Sequence, residues 1–498
     1  MKHFLNKYKN IIFKIIFTVL SIILIIPSVM YLIRNGTILG FTNYYNFFIN
    51  DGQNKTISTI VYLGIFIVLT IIYLCFIKKN DFFKNIKQVL IYTGVISAIF
   101  IAMLPWTSSD IFYYMGVGEL NSVYAQNPYY VTIKEYCNEN KEKLNDDTIM
   151  KQGYKNYWAG TTVVYGPIAQ VIFSIVTKIS FRNVDICLIL FKLLNLLMHL
   201  LNAYLIYKIT KKLKFVIIYG LNPFILLEFI GNVHNDIIVV FFILLSIYFL
   251  LKKKKILPSI IALAIATGIK YFTILLLPVI VLYHFRNEEK LEKRFLKCIQ
   301  YGVIFLVLFI LEYVIYFRDM SIFTAMMVQN ERLSKSIYSG IVGYGELKGI
   351  EKLTIFSLEL TTIQIAIILR NTMFLIFIIT YIKFCIDLLI TKNIKLNKTL
   401  RKYNPELILF LLSLTTFQQW YILWLFATLW WQRPNTIRNI IGVSLVSEIA
   451  NSVYMFQVES FRYDIYFWSI IFIFTIKKMW SMGTCLIDRI VSNDKKIK

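Results

Sequence analysis

The chain has 498 residues, of which 58% are hydrophobic and only 16% charged, against roughly 25% charged in ordinary soluble domains. A soluble globule, a disordered chain and a collagen-like fibre are thereby excluded. Lys+Arg number 53 and Asp+Glu 28, a net +25. The basic residues sit in short clusters between apolar runs, such as Lys78 and Lys79, Lys211 and Lys212, and Lys252 to Lys255. That pattern is the one cytoplasmic loops of membrane proteins carry, and it speaks against nucleic acid as a partner. The six cysteines include no C-x-x-C spacing, so neither a disulfide framework nor a zinc ligand set is present.

In chain order, the basic segment Met1 to Asn10 runs into an apolar stretch at 11–33, too long for a signal-peptide core. It predicts a first span with the N-terminus in the cytoplasm. A membrane helix needs roughly 20 apolar residues. Regular candidates follow at 57–77, 86–104, 185–207, 235–251, 297–317, 363–382, 437–456 and 463–480. Less regular ones lie at 165–181, 215–230, 257–283 and 405–431. The predicted fold class is an all-α polytopic membrane protein of about 11–13 transmembrane helices, with a large outer loop bearing interfacial helices. The predicted divisions are N-terminal spans at 1–104, that outer loop at 105–162, core spans at 163–317, a second outer loop at 318–362 and C-terminal spans at 363–498.

The loop at 105–162 holds seven acidic and five basic residues. A net −2 within so basic a chain marks the outer face, and the loop's Tyr and Trp content suits the membrane interface. The same charge rule requires one of 165–181 and 185–207 to be short or to lie in the interface. It also requires 257–283 and 405–431, 27 residues each, to be bent pairs of half-length helices, which are tolerated where they line a cavity.

Polar residues in or beside apolar runs are costly to bury and so carry the functional reading. Asp110, in P-W-T-S-S-D-I-F-Y-Y-M-G-V-G, stands just beyond the third run. It is either a helix N-cap, a role Ser109 could share, or a general base at the membrane surface. N-P-Y-Y at Asn127 to Tyr130 and Y-G-P-I at Tyr165 to Ile168 read by themselves as a turn and a helix start. In L-N-P-F-I-L-L-E-F-I-G-N-V-H-N-D, Glu228 lies within an apolar run while Asn232, His234, Asn235 and Asp236 crowd a short turn, more polar groups than capping requires. His234 and Asp236 alone are a thin metal ligand set. No cofactor motif occurs, and a divalent metal stays open. Lys270, in G-I-K-Y, is the only charge between Leu257 and Leu282. It serves either an anionic substrate or a structural pairing with Glu228. F-Q-Q-W-Y-I-L-W brings Gln419, Trp420, Tyr421 and Trp424 together, as an interfacial belt or a sugar-stacking surface.

The ordered set of an outer-loop Asp, N-P-Y, Y-G-P, N-P-x7-G-N-x-H-N-D, a mid-run Lys and W-Y-x-L-W resembles the GT-C class of integral-membrane glycosyltransferases over about residues 86–431. It is most similar to bacterial mannosyltransferases that use a polyprenyl-phosphate sugar. The large loop follows the third run here, whereas in that class it follows the first span. The resemblance implies Asp110 as catalytic base. In that setting the residues themselves give Lys270, Glu228, Asn232, His234, Asn235, Asp236, Tyr165, Gln419, Trp420 and Tyr421 as the expected substrate-binding residues. The resemblance further implies transfer of a hexose, mannose by preference, from a polyprenyl-phosphate donor to a lipid-linked or cell-envelope glycan acceptor on the outer face of the cell membrane, by an inverting single displacement. One carboxylate to take a proton and one cation to receive the phosphate meet that chemistry. The alternatives are a lipid-linked polysaccharide polymerase or ligase, and a transporter or flippase. The latter calls for repeat-related halves, which the sequence lacks.

Overall fold

Uninterrupted apolar runs become helices because lipid offers no partner for backbone N–H and C=O groups. The computed structural model describes residues 2–41, 52–79, 82–105, 107–355, 358–392, 394–457 and 468. Within these the chain is an all-α polytopic membrane protein. Five helices are long and apolar enough to cross a bilayer: Tyr8–Asn35, Ile60–Lys78, Val184–Thr210, Leu291–Tyr313 and Thr362–Ile390. The pair Leu213–Gly220 and Pro223–Gly231, bent by 45° at its break, makes a sixth if taken as one span. The Leu291–Tyr313 helix turns Val303, Leu306, Val307 and Ile310 outward on one face, the side a lipid solvent would cover. The only strands among the described residues form a small antiparallel hairpin, Lys352–Ile355 with Leu358–Thr361, Lys352 facing Thr361.

The full-length spans are fewer than the apolar runs, and the reason is local. The run at 86–104 gives only Ile86–Ile101, and that at 165–181 gives Pro167–Lys178, the short member of its pair. The stretch at 257–283 is two half-length helices, Ile256–Thr267 and Tyr271–His284. The stretch at 405–431 departs from the bent-pair expectation. It begins inside Leu396–Ser413 and continues as three short turns, Gln419–Ile422, Leu423–Phe426 and Leu429–Trp431. The candidate at 463–480 lies outside the described residues, Trp468 excepted.

The first polar loop folds into helices Asp110–Ser122, Ile133–Glu139 and Thr148–Tyr154. Thr132 and Glu135 close a reciprocal capping box on the second, and Asp147 caps the third, satisfying backbone donors that helix starts leave open. The first of these helices is buried from Ile111 to Leu120 and packs on Pro167–Lys178. The loop is therefore ordered structure, with Asp110 the first residue of its first helix.

Candidate active site

Two sequence motifs meet at a backbone contact. A Cβ at Gly166 would lie 2.3 Å from the Gly268 carbonyl oxygen, so only glycine fits there. The Gly268 carbonyl accepts from Ile168 N–H at 2.9 Å and Ala169 N–H at 3.3 Å. The start of the Pro167–Lys178 helix thus caps the end of Ile256–Thr267. Y-G-P-I and G-I-K-Y are one structural unit, and it brings the Lys270 ammonium 5.8 Å from the Tyr165 ring.

Lys270 occupies the break between the two half-helices. Its Nζ lies 2.7 Å from Asp236 Oδ1, and Asp236 is fully buried. Glu228 is not its partner. That carboxylate is turned instead to Thr107 Oγ1 at 3.2 Å, Asn232 Nδ2 at 3.3 Å and Gln419 Nε2 at 3.2 Å. Asp236 Oδ1 also accepts from Trp424 Nε1 at 2.5 Å. The Trp424 ring is sandwiched between Phe272 at 3.7 Å and Tyr421 at 4.4 Å, and Tyr421 faces the Lys270 ammonium at 4.8 Å.

Asp110 is the first residue of its helix, and Ser109, in the N-cap position, makes no side-chain cap bond. The Asp110 carboxylate, 19% exposed, lies 4.0 Å from His234 Nδ1. The other ring nitrogen, Nε2, is 3.2 Å from Glu228 Oε2, close but outside hydrogen-bond alignment. His234 stacks on Trp420 at 3.6 Å. Just before it, Val233 has φ 64° and is buried. A β-branched residue in the left-handed region is strained, and such strain collects at functional sites.

A cavity of about 700 Å³ is lined by Asp110, Tyr165, Lys270, Trp420, Tyr421 and Trp424, and also by Trp158, Arg332 and Arg370. Glu228, Asn232, His234, Asn235, Asp236 and Gln419 form a buried layer behind this wall. Burial, and then the charge of Asp110, hold the Tyr165 phenol well above its ordinary pKa, so it acts as a hydrogen-bonding surface and not as a base. Among the described residues no three His, Cys, Asp or Glu side chains converge as a metal site. The cavity presents one carboxylate, several cations and a set of aromatic faces, which is what proton removal, anion binding and ring stacking require.

Several of these residues escaped the sequence reading. Arg370 lines the cavity, and its signal was plain: it is the sole charge between Thr362 and Lys383. Glu448, the only acid in the Pro434–Gln457 helix, is fully buried and accepts from the Tyr62 hydroxyl at 3.5 Å. Lys192, Asn195, His199 and Asn202 in the Val184–Thr210 helix are all buried. Their spacing of three, four and three places them on one helix face.

Residues 19–286 match the MptA_B family model, described as alpha-(1->6)-mannopyranosyltransferase, N-terminal domain. Neither the curated proteins nor the solved structures contain a match. The family match covers more than half of the chain, and with the membrane fold and the cavity just described it identifies the protein as a member of the MptA_B mannosyltransferase family, an enzyme of mannosyl transfer.

Proposed function

We propose that the enzyme transfers mannose from a polyprenyl-phosphate donor to a cell-envelope glycan or glycolipid, in one displacement at the mouth of this cavity. Asp110 takes the proton from the acceptor hydroxyl as that oxygen bonds the anomeric carbon. The bond from that carbon to the phosphate oxygen breaks, and the lipid phosphate leaves as an anion. A single carboxylate suffices, because no covalent sugar–enzyme intermediate is formed. The anomeric centre inverts, so an α-linked product calls for a β-configured donor. Trp420 and Tyr421 stack on sugar rings, while Arg332, Arg370 and Lys270 supply positive charge for the phosphate. Of these, Lys270 is already neutralised by Asp236, so the guanidinium groups are the stronger anion partners. Glu228, Asn232, His234, Asn235, Asp236 and Gln419 act from behind, holding the wall in shape.

The observation that carries the reading is the presence of Asp110, Lys270, Arg370 and the Trp420–Tyr421 faces in one cavity of a mannosyltransferase-family membrane protein. The acidic loop and the basic clusters elsewhere support a multi-pass cell-membrane protein with its N-terminus in the cytoplasm and this cavity on the outer face. The test is incubation of the purified protein with radiolabelled polyprenyl-phosphate hexoses and, separately, with nucleotide sugars. Label transfer from polyprenyl-phosphate mannose alone is expected. Transfer from nucleotide sugar alone overturns the donor assignment.

A further inference from the structure

We propose that Lys192 is a positioning residue for the transfer reaction, an ammonium clamp that sets the catalytic aspartate against the buried turn; the claim rests on the reading of Asp110 as base. Lys192 is the only formal charge between Asp185 and Lys208 and is 1% exposed. Among the described residues no carboxylate pairs with it; its partners are carbonyl oxygens. Its Nζ donates to three backbone carbonyls, Met103 at 2.5 Å, Ile230 at 3.1 Å and Gly231 at 2.8 Å. Met103 follows the end of Ile86–Ile101, and Ile230 and Gly231 end Pro223–Gly231. Both helix ends present carbonyls without intrahelical partners, and a cation is favoured there. From one of those ends the chain runs seven residues to Asp110; from the other it runs three to His234 and five to Asp236. One ammonium therefore ties the segments that carry both halves of the site. A Cβ at Gly231 would stand 2.9 Å from Met103 Sδ, so the two segments are drawn to contact.

The same helix face continues the restraint. Asn195 Nδ2 donates to the carbonyls of Phe229 at 2.7 Å and His234 at 3.1 Å. His199 Nε2–H donates to the Gly220 carbonyl at 3.1 Å. Asn202 Nδ2 donates to Tyr219 Oη at 2.8 Å and the Ile237 carbonyl at 3.0 Å. The stripe grips the backbone on both sides of the strained Val233, and none of its members lines the cavity.

The test compares wild type, Lys192→Met, Asn195→Leu and Asp110→Asn as full-length protein in lipid nanodiscs, with polyprenyl-phosphate mannose as donor. Rates are normalised to the folded fraction. Misplacement by about 1 Å lowers rate on the order of 10²-fold, so Lys192→Met and Asn195→Leu are expected to lose kcat on that scale while the donor KM stays within about twofold. Wild-type kcat in the folded fraction of either variant overturns the proposal, as does a raised KM at unchanged kcat. If Lys192→Met does not fold, Asn195→Leu decides alone. Wild-type kcat in Asp110→Asn beside a kcat loss in the other two removes the base assignment and leaves Lys192 positioning the turn.

Discussion

An alanine at Gly166 places a methyl carbon 2.3 Å from the Gly268 carbonyl oxygen and 2.6 Å from its carbon. Ordinary contact begins near 3.4 Å, so the two backbones must part by about 1.1 Å (3.4 − 2.3). The opposing atoms are main chain, which no rotamer change can move aside. The same displacement stretches the Ile168 and Ala169 bonds to that carbonyl, now 2.9 and 3.3 Å. Overpacking of this kind costs about 1–3 kcal/mol, and a buried carbonyl left without a donor costs about 1–3 kcal/mol. It also moves Tyr165 away from Lys270, a shift worth on the order of 10² in rate. The assay is thermal unfolding in nanodiscs beside mannosyl transfer per folded molecule. We expect Gly166→Ala to lower both. A melting temperature and a turnover indistinguishable from wild type would show that the two segments do not meet as described.

Three further outcomes follow from the geometry. Lys270→Met strands the fully buried Asp236, so stability should fall by about 3–5 kcal/mol; Asp236→Asn in the same chain should restore the yield but not the turnover, and recovery of both would remove Lys270 from the chemistry. Arg370→Gln should raise the donor KM roughly tenfold, about 1.4 kcal/mol, with expression unchanged; an unaltered KM would exclude it from phosphate binding. Glu119, buried in the first polar loop, has its pKa raised to about 8 by burial and by the neighbouring Asp147. The folded state then binds the extra proton between the ordinary carboxylate range and about pH 8, so stability falls as pH rises through that window. Glu119→Gln should therefore be more stable than wild type at pH 8 and lose that advantage at pH 5, a difference read as melting temperature; an equal difference at both pH values would refute the assignment.

The fold class was legible because composition and long apolar runs leave few alternatives. Span lengths were harder to read. The break near Gly268 was legible from the placement of charge and not from hydropathy, whereas the early end at Ile101 left no mark in either. Asp110, Tyr165, Lys270, Trp420 and Tyr421 could be picked out because each stands in or beside an apolar run, and all five line one cavity. Which acid meets Lys270 was not legible. Glu228 and Asp236 are eight residues apart, and the choice depends on a π-helical turn at Leu226–Gly231 that rotates Glu228 toward Thr107. Lys192, Asn195, His199 and Asn202 were passed over because an apolar run with isolated polar residues still reads as a span. Their periodicity was the available signal, and its meaning depended on knowing that a turn of backbone lay against that face.

The reading of the chemistry turns on whether Asp110 is the base, and one comparison tests it most directly. Asp110→Asn keeps the size of the side chain and removes its basicity. We expect the variant to accumulate folded and to bind polyprenyl-phosphate mannose like wild type, with turnover down by about 10²-fold or more. Near-normal turnover would contradict the account and leave Asp110 as no more than the first residue of its helix.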